Sequence, residues 1–155
     1  MKKILLIILF LLAILLVKST VYVEAAVDNK SDLCTQNRKT IIAPRAYLEK
    51  ENPLRKEPRH IKKGKVLSHI KVKPIACKQC HGMGGDGKGA MALNMNPKPR
   101  NFTCKATMND ISDGQLFWVI KNGSKGTSMP SYSHLSDRKI WQLIHYIRSL
   151  AEESS

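Results

Sequence analysis

Hydrophobic positions change character twice along the chain. Ile4 to Val17 is an unbroken apolar run behind Met1-Lys2-Lys3. From residue 26 to 58 the apolar residues thin out to Ile41-Ile42-Ala43 and Tyr47-Leu48, with Pro44, Pro53 and Pro58 between charged positions. Helical spacing starts near Arg59, where Ile61, Val66, Leu67 and Ile70 predict a short helix with a basic outer face, ending before Pro74. Ala90 to Leu93 predicts one helical turn ahead of the stiff Asn96-Pro97-Lys98-Pro99 connection. Ser112-Asp113-Gly114-Gln115 has the form of a capping box, opening a helix through Leu116, Phe117, Val119 and Ile120 that Asn122-Gly123 ends. The clearest element is the last: Ser136 as N-cap, then Ile140, Leu143, Ile144, Ile147 and Leu150. No alternating run predicts a strand. The expected fold class is all-α, small and loop-rich.

The first apolar run, with its positive start and Val23-Glu24-Ala25-Ala26 after it, has the form of a secretory signal peptide over residues 1–25. An uncleaved anchor is the rival, but about 14 apolar residues span roughly 21 Å as a helix against a ~30 Å hydrocarbon core. The mature chain is expected to be exported, to the periplasm or an equivalent extracytoplasmic compartment. Residues 26–58 are expected to be an extended or disordered basic arm, and residues 59–155 the folded domain. The formal charge is +14, and it is uneven: residues 26–75 hold 13 Lys/Arg against 5 Asp/Glu, residues 76–155 hold 10 against 6. That excess suits an acidic partner or an anionic membrane surface; a soluble basic surface with no special partner is the plainer alternative. Nucleic acid fits poorly outside the cytoplasm.

The chemistry concentrates in Cys77-Lys78-Gln79-Cys80-His81, followed by a glycine run. A Cys-x-x-Cys pair serves zinc, thiol–disulfide exchange or haem attachment. Zinc needs two further ligands, and Cys34 and Cys104 stand isolated. A redox dithiol normally sits among strands. Haem c uses every residue: each thiol adds to one vinyl group, and the adjacent histidine becomes the proximal iron ligand. Gly82, Gly84, Gly85, Gly87 and Gly89 would let backbone approach a flat macrocycle, or form a plain surface loop from Gly87 onward.

CKQCHG, the helix before it, NPKPRNF, the TSMP loop and LSDRKIWQLIHYIRSL together resemble a class I monohaem cytochrome c over roughly Arg59 to Leu150. The resemblance implies about three to five helices around one covalently attached haem, the first and last helices crossing. It implies a second axial ligand, Met129, on the loop before the last helix; a neutral thioether favours ferrous iron. Met83, Met91, Met95 and Met108 compete on residue type alone. Gly64 and Tyr146 take the places of the crossing glycine and aromatic, with Trp141 nearby. Arg100 either reaches a haem propionate or is solvated. Phe102, Leu116, Phe117 and Ile120 are expected to line the apolar pocket, with Trp118 sharing that task or covering the helix interface. His60, His69, His134 and His145 are expected to be solvated. Cys34 and Cys104 depart from the family pattern: a disulfide, a buried thiol, an intermolecular link or a thiolate on the iron stay open.

With His81 and Met129 both on the iron no position is left for a substrate, so the expectation is an electron carrier and not an enzyme. Its partners would be redox proteins with acidic docking surfaces facing Lys78, Lys88 and Lys125, with Lys62, Lys63 and Lys65 adding to that face. A fixed haem subunit of an oxidoreductase complex is the rival, and a haem enzyme or gas sensor the third reading.

Overall fold

A computed structural model describes Cys34, Gln36 and residues 40–153. The expected signal peptide and most of residues 26–39 lie outside the described residues. Residues from Gln36 onward belong to one unit built of helices, with no strand among the described residues. Helix α1 is Arg45–Leu48, α2 is Pro58–Val66 running into a π-helical turn Leu67–Lys71, and α3 is Lys78–His81. Then come α4 (Lys105–Asn109), α5 (Asp113–Asn122) and α6 (Asp137–Glu153). None is long and apolar enough to cross a membrane.

Helix α2 opens with Pro58 at its first position, where a missing N–H costs nothing. It crosses α6 in the most extensive helix–helix contact of the fold. The crossing is as close as backbone allows: a Cβ on Gly64 would overlap the Gln142 carbonyl oxygen and lie 2.8 Å from the Tyr146 Cβ. The expected Gly64–Tyr146 pairing is therefore present. The apolar stripe of α6 faces inward, and Ile140 and Ile144 have no exposed surface. Phe117 of α5 packs on Trp141 with ring centroids 4.4 Å apart, and Tyr47 of α1 stacks on its other side at 6.2 Å.

Helix α5 begins where its capping residue requires. The Ser112 hydroxyl accepts from the Gln115 N–H at 3.1 Å. The return half of the capping box is absent, because the Gln115 amide is used elsewhere. Its oxygen accepts from the Ala43 N–H at 2.8 Å, and its nitrogen donates to the Ile41 carbonyl at 3.0 Å. Gly114 admits α1 alongside, since a Cβ there would overlap the Tyr47 carbonyl oxygen. Further on, Asn52 Nδ2 donates to the Trp141 carbonyl at 3.0 Å, and His145 Nε2 donates to the Leu54 carbonyl at 2.9 Å. From Thr40 to Pro58, then, the segment expected to be extended or disordered carries a helix and is fastened to α5 and α6. Arg148 of α6 ties down the α4–α5 connection, donating to Asp113 Oδ1 at 2.8 Å, to the Ile111 carbonyl at 2.5 Å and to the Met108 carbonyl.

Several local expectations differ from the fold. Ala90 to Leu93 forms turns and no helix, and Ile70 is 73 % exposed. The one-turn helices α1, α3 and α4 carry too few residues for a period to show. His60 and His145 are buried between α2 and α6 instead of solvated, whereas His134 is exposed as expected.

Candidate functional site

Cys77 caps α3, whose single turn is closed by the His81 N–H on the Cys77 carbonyl at 2.8 Å. Gly82 ends it at φ +84°, a left-handed conformation that glycine takes without strain. Residues at i, i+3 and i+4 of a helical turn share a face, so Cys77, Cys80 and His81 line one crevice together. Both thiols are free. Burial pushes each above its ordinary range, and a hydrogen bond from Ser68 partly offsets this at Cys77. Among the described residues no group of three or more His, Cys, Asp or Glu is arranged to hold a metal ion.

His81 is oriented from two sides. Its Nδ1 is 3.0 Å from the Arg100 carbonyl oxygen, and its ring stacks on Phe102 at 4.3 Å and 14°. A carbonyl only accepts, so Nδ1 carries a proton, and in the neutral ring the lone pair is then on Nε2. Imidazole, not imidazolium, is the form that ligates a metal.

The loop over residues 82–103 is threaded back onto α3 by backbone bonds. The N–H groups of Gly87, Gly89 and Met91 reach the carbonyls of His81 (2.8 Å), Cys80 (3.0 Å) and Gln79 (2.8 Å). Phe102 N–H donates to Gly85 at 2.7 Å. Gly82 and Gly85 line the crevice, and a Cβ on Gly85 would crowd Leu150 and Phe102. Gly87 and Gly89 instead pack against the backbone at Pro99 and Gln79, and Gly84 borders open space. Close approach to a macrocycle is thus a reason for the first pair only.

The other wall is the loop before α6. Thr127, Ser128, Met129 and Pro130 all line the crevice. The loop is tied by Ser124 N–H to the Met129 carbonyl at 3.2 Å and Met129 N–H to Thr127 Oγ1 at 3.2 Å. Of the competing methionines, Met83 and Met91 are 62 % and 49 % exposed, and Met108 is fully buried in the core. Only Met95 joins Met129 in the crevice.

The remaining expectations divide. Phe102 and Ile120 line the crevice; Leu116 and Phe117 do not, Phe117 packing on Trp141 and Tyr47 and Leu116 lying buried in the core. Trp118 is half-buried outside it. Arg100 lines the crevice, and its guanidinium donates to Thr40 Oγ1 at 2.9 Å; its carbonyl, which orients His81, went unread. Cys34 and Cys104 are disulfide-bonded, so neither thiolate is available to iron. His69 is not simply solvated, since its Nε2 lies 3.0 Å from the Tyr146 hydroxyl. Unforeseen lining residues include Ser68, Tyr132, Leu143 and Ile147. The last two were within reach, since they share the α6 stripe with Leu150.

The crevice is partly open to solvent, offers about 920 Å³ of space including its mouth, and is walled mainly by apolar side chains. Two free thiols, an oriented imidazole and a thioether on such walls form a donor set that fits a covalently held haem.

A cytochrome c family model matches residues 61–151. The chain is also similar to a chain of the reducing HAO-like protein complex of Kuenenia stuttgartiensis, at 29% identity and a TM-score of 0.54, over 74% of this chain and 52% of that one. It spans about half the length of that relative. The search of curated proteins found no match. A family match over more than half the residues, on a fold whose crevice has the thiols and imidazole the family's cofactor requires, makes the protein a member of the cytochrome c family.

Proposed function

We propose that Cys77 and Cys80 would hold one haem c through thioethers, that His81 Nε2 and Met129 would ligate its iron, and that the protein would pass single electrons between redox proteins outside the cytoplasm. The observation that carries this reading is the His81 Nδ1 bond to the Arg100 carbonyl, which aims Nε2 into a crevice shared with two free thiols. Each attachment would add the S–H across a vinyl double bond, sulfur on one carbon and hydrogen on the other. The bound group supplies a reversible one-electron change at iron. The protein's part is to fix the ligands, exclude water and set the potential. Phe102 stops the imidazole from rotating, Gly123 gives the Met129 loop room, and Ile120, Leu143 and Ile147 keep the pocket apolar.

Haem-stained denaturing electrophoresis tests this directly. The wild-type band should keep its colour, and Cys77→Ala/Cys80→Ala should lose it. Colour that leaves the wild-type band on denaturation rejects the attachment. A second reading, a fixed subunit, is favoured by the likeness to a chain of a complex. A carrier meets its partner through a small, salt-sensitive interface, so its electron-transfer rate to an acidic partner falls as salt rises and falls again with Lys78→Glu or Lys125→Glu. Co-purification with a partner through high salt selects the subunit.

A further inference from the structure

The π-helical turn Leu67–Lys71 presents two consecutive side chains to different partners. It puts Ser68 against the crevice, hydrogen-bonded to Cys77, and the next residue, His69, against the hydroxyl of Tyr146. Single π turns recur where side chains must be re-aimed at a site. Tyr146 is itself a wall of the crevice, buried at 5 % exposure, and its ring meets that of His69 edge-on at 83°. The His69 ring is therefore one side chain removed from the crevice.

We propose that His69 is a proton site coupled through Tyr146 to the oxidation state of the crevice, so that the protein takes up protons as it is reduced. The inference rests on the haem reading above.

The hydrogen bonds provide two complete arrangements. Tyr146 Oη lies 3.0 Å from His69 Nε2 and 3.4 Å from the Met83 carbonyl oxygen. With His69 neutral, Nε2 accepts the phenol proton. With His69 charged, Nε2–H donates to the phenol oxygen, and the phenol proton turns to the Met83 carbonyl. Protonation thus adds a positive charge beside the crevice wall and reverses the hydroxyl dipole on it.

The groups facing His69 are few. Lys65 comes from α2 and Lys78 from α3; burial, with these two cations, holds its pKa below the ordinary histidine value, and the Met83 carbonyl opposes them. From α6 Tyr146 faces it, itself pushed up by burial, Glu153 and Cys77. The charge change therefore falls on the acid side of the usual histidine range. A cation there favours the less positive, ferrous iron. The potential is high while His69 is charged and falls as rising pH neutralises it. By linkage, oxidation lowers the affinity of His69 for its proton by the same factor that the proton favours reduction.

The test uses the holoprotein. Its one-electron potential is measured across the acid range for wild type, His69→Gln and Tyr146→Phe, and the His69 ring protons are titrated by NMR in both oxidation states. The expected result is a fall in potential with pH in wild type that levels off at both ends and is absent in His69→Gln. Proton affinity at His69 should be about fivefold or more higher in the ferrous protein. Tyr146→Phe should reduce the coupling, since the hydroxyl relay is gone. A full pH dependence surviving in His69→Gln overturns the proposal, as does equal His69 affinity in the two states. The NMR arm decides from wild type alone if the variants do not fold. A preparation with no one-electron couple at any pH would instead sink the haem reading, a separate result from a flat profile.

Discussion

The α2–α6 crossing and the loop walls of the crevice solve opposite problems. At the crossing, position follows from packing: Ile140 and Ile144 are wholly buried, and Gly64 leaves no space between backbones. The walls at residues 82–103 and around Met129 contain no long element. They are positioned by individual backbone bonds onto α3 and within the loop itself. Packing supplies the bulk of the stability through burial, and it tolerates no added volume. The loops supply placement at small energetic cost, because each bond fixes one atom and contributes only about 1 kcal/mol. The fold should therefore break at the crossing and the chemistry at the walls.

Five substitutions or conditions test that division. Gly64→Ala has the largest expected effect, a loss of roughly 2–4 kcal/mol, because its Cβ meets backbone that cannot move aside. Denaturant unfolding measures it, and an unshifted midpoint would show that the crossing is not the constraint. Met129→Ala should cost less stability, about 1–2 kcal/mol, since the side chain is only partly buried. It should still lower the reduction potential and admit external ligands to the iron. Unchanged spectra in both oxidation states would pass the sixth position to Met95. Gln115→Ala removes two bonds to the Ile41–Ala43 backbone and should cost about 1 kcal/mol, with faster amide exchange at Ala43 as its signature.

Acid probes the crossing more gently. Gln142 Nε2 lies 3.2 Å from His60 Nδ1 and can only donate, so Nδ1 must be unprotonated. Burial, then Arg59 and Arg138, holds His60 below the ordinary histidine pKa, with Glu57 opposing. Below that ordinary value the unfolded chain binds the proton more readily than the fold does. The contribution is complete above the ordinary histidine range and is lost as pH falls toward the folded value. Unfolding midpoints from neutral to acid pH should decline more steeply in wild type than in His60→Gln; parallel curves would discharge His60 from this role. Smallest of all is Gly84→Ala, where a Cβ meets nothing within 4 Å. A change within about 0.5 kcal/mol is expected, and a larger one would show that the loop is tighter than its backbone bonds imply.

Which parts were legible in the sequence follows the same division. The α6 stripe and the Cys77–His81 turn were readable because spacing alone puts their side chains on one face. Helices α1 and α4 were not, since one turn has no period and is held by what it packs on. His60, His69 and His145 were misread for a related reason. His60 and His69 sit in a basic stretch and His145 on an otherwise apolar helix stripe, and only the fold provides the Gln142, Tyr146 and Leu54 partners. The Arg100 carbonyl was out of reach in a deeper sense: a backbone oxygen is common to every residue, so no letter in NPKPRNF marks it.

The Gln115 clamp has a consequence for transplanting this domain. Its side-chain amide presents a donor and an acceptor side by side to the Ile41–Ala43 backbone, as a neighbouring peptide group would. The family match begins at residue 61, beyond the whole of the segment so fastened. A graft cut at that boundary would uncover the Phe117 ring beneath Tyr47 and strip Asn52 from the Trp141 carbonyl. The smallest portable unit begins at least twenty residues earlier than the family boundary, at Thr40 or before.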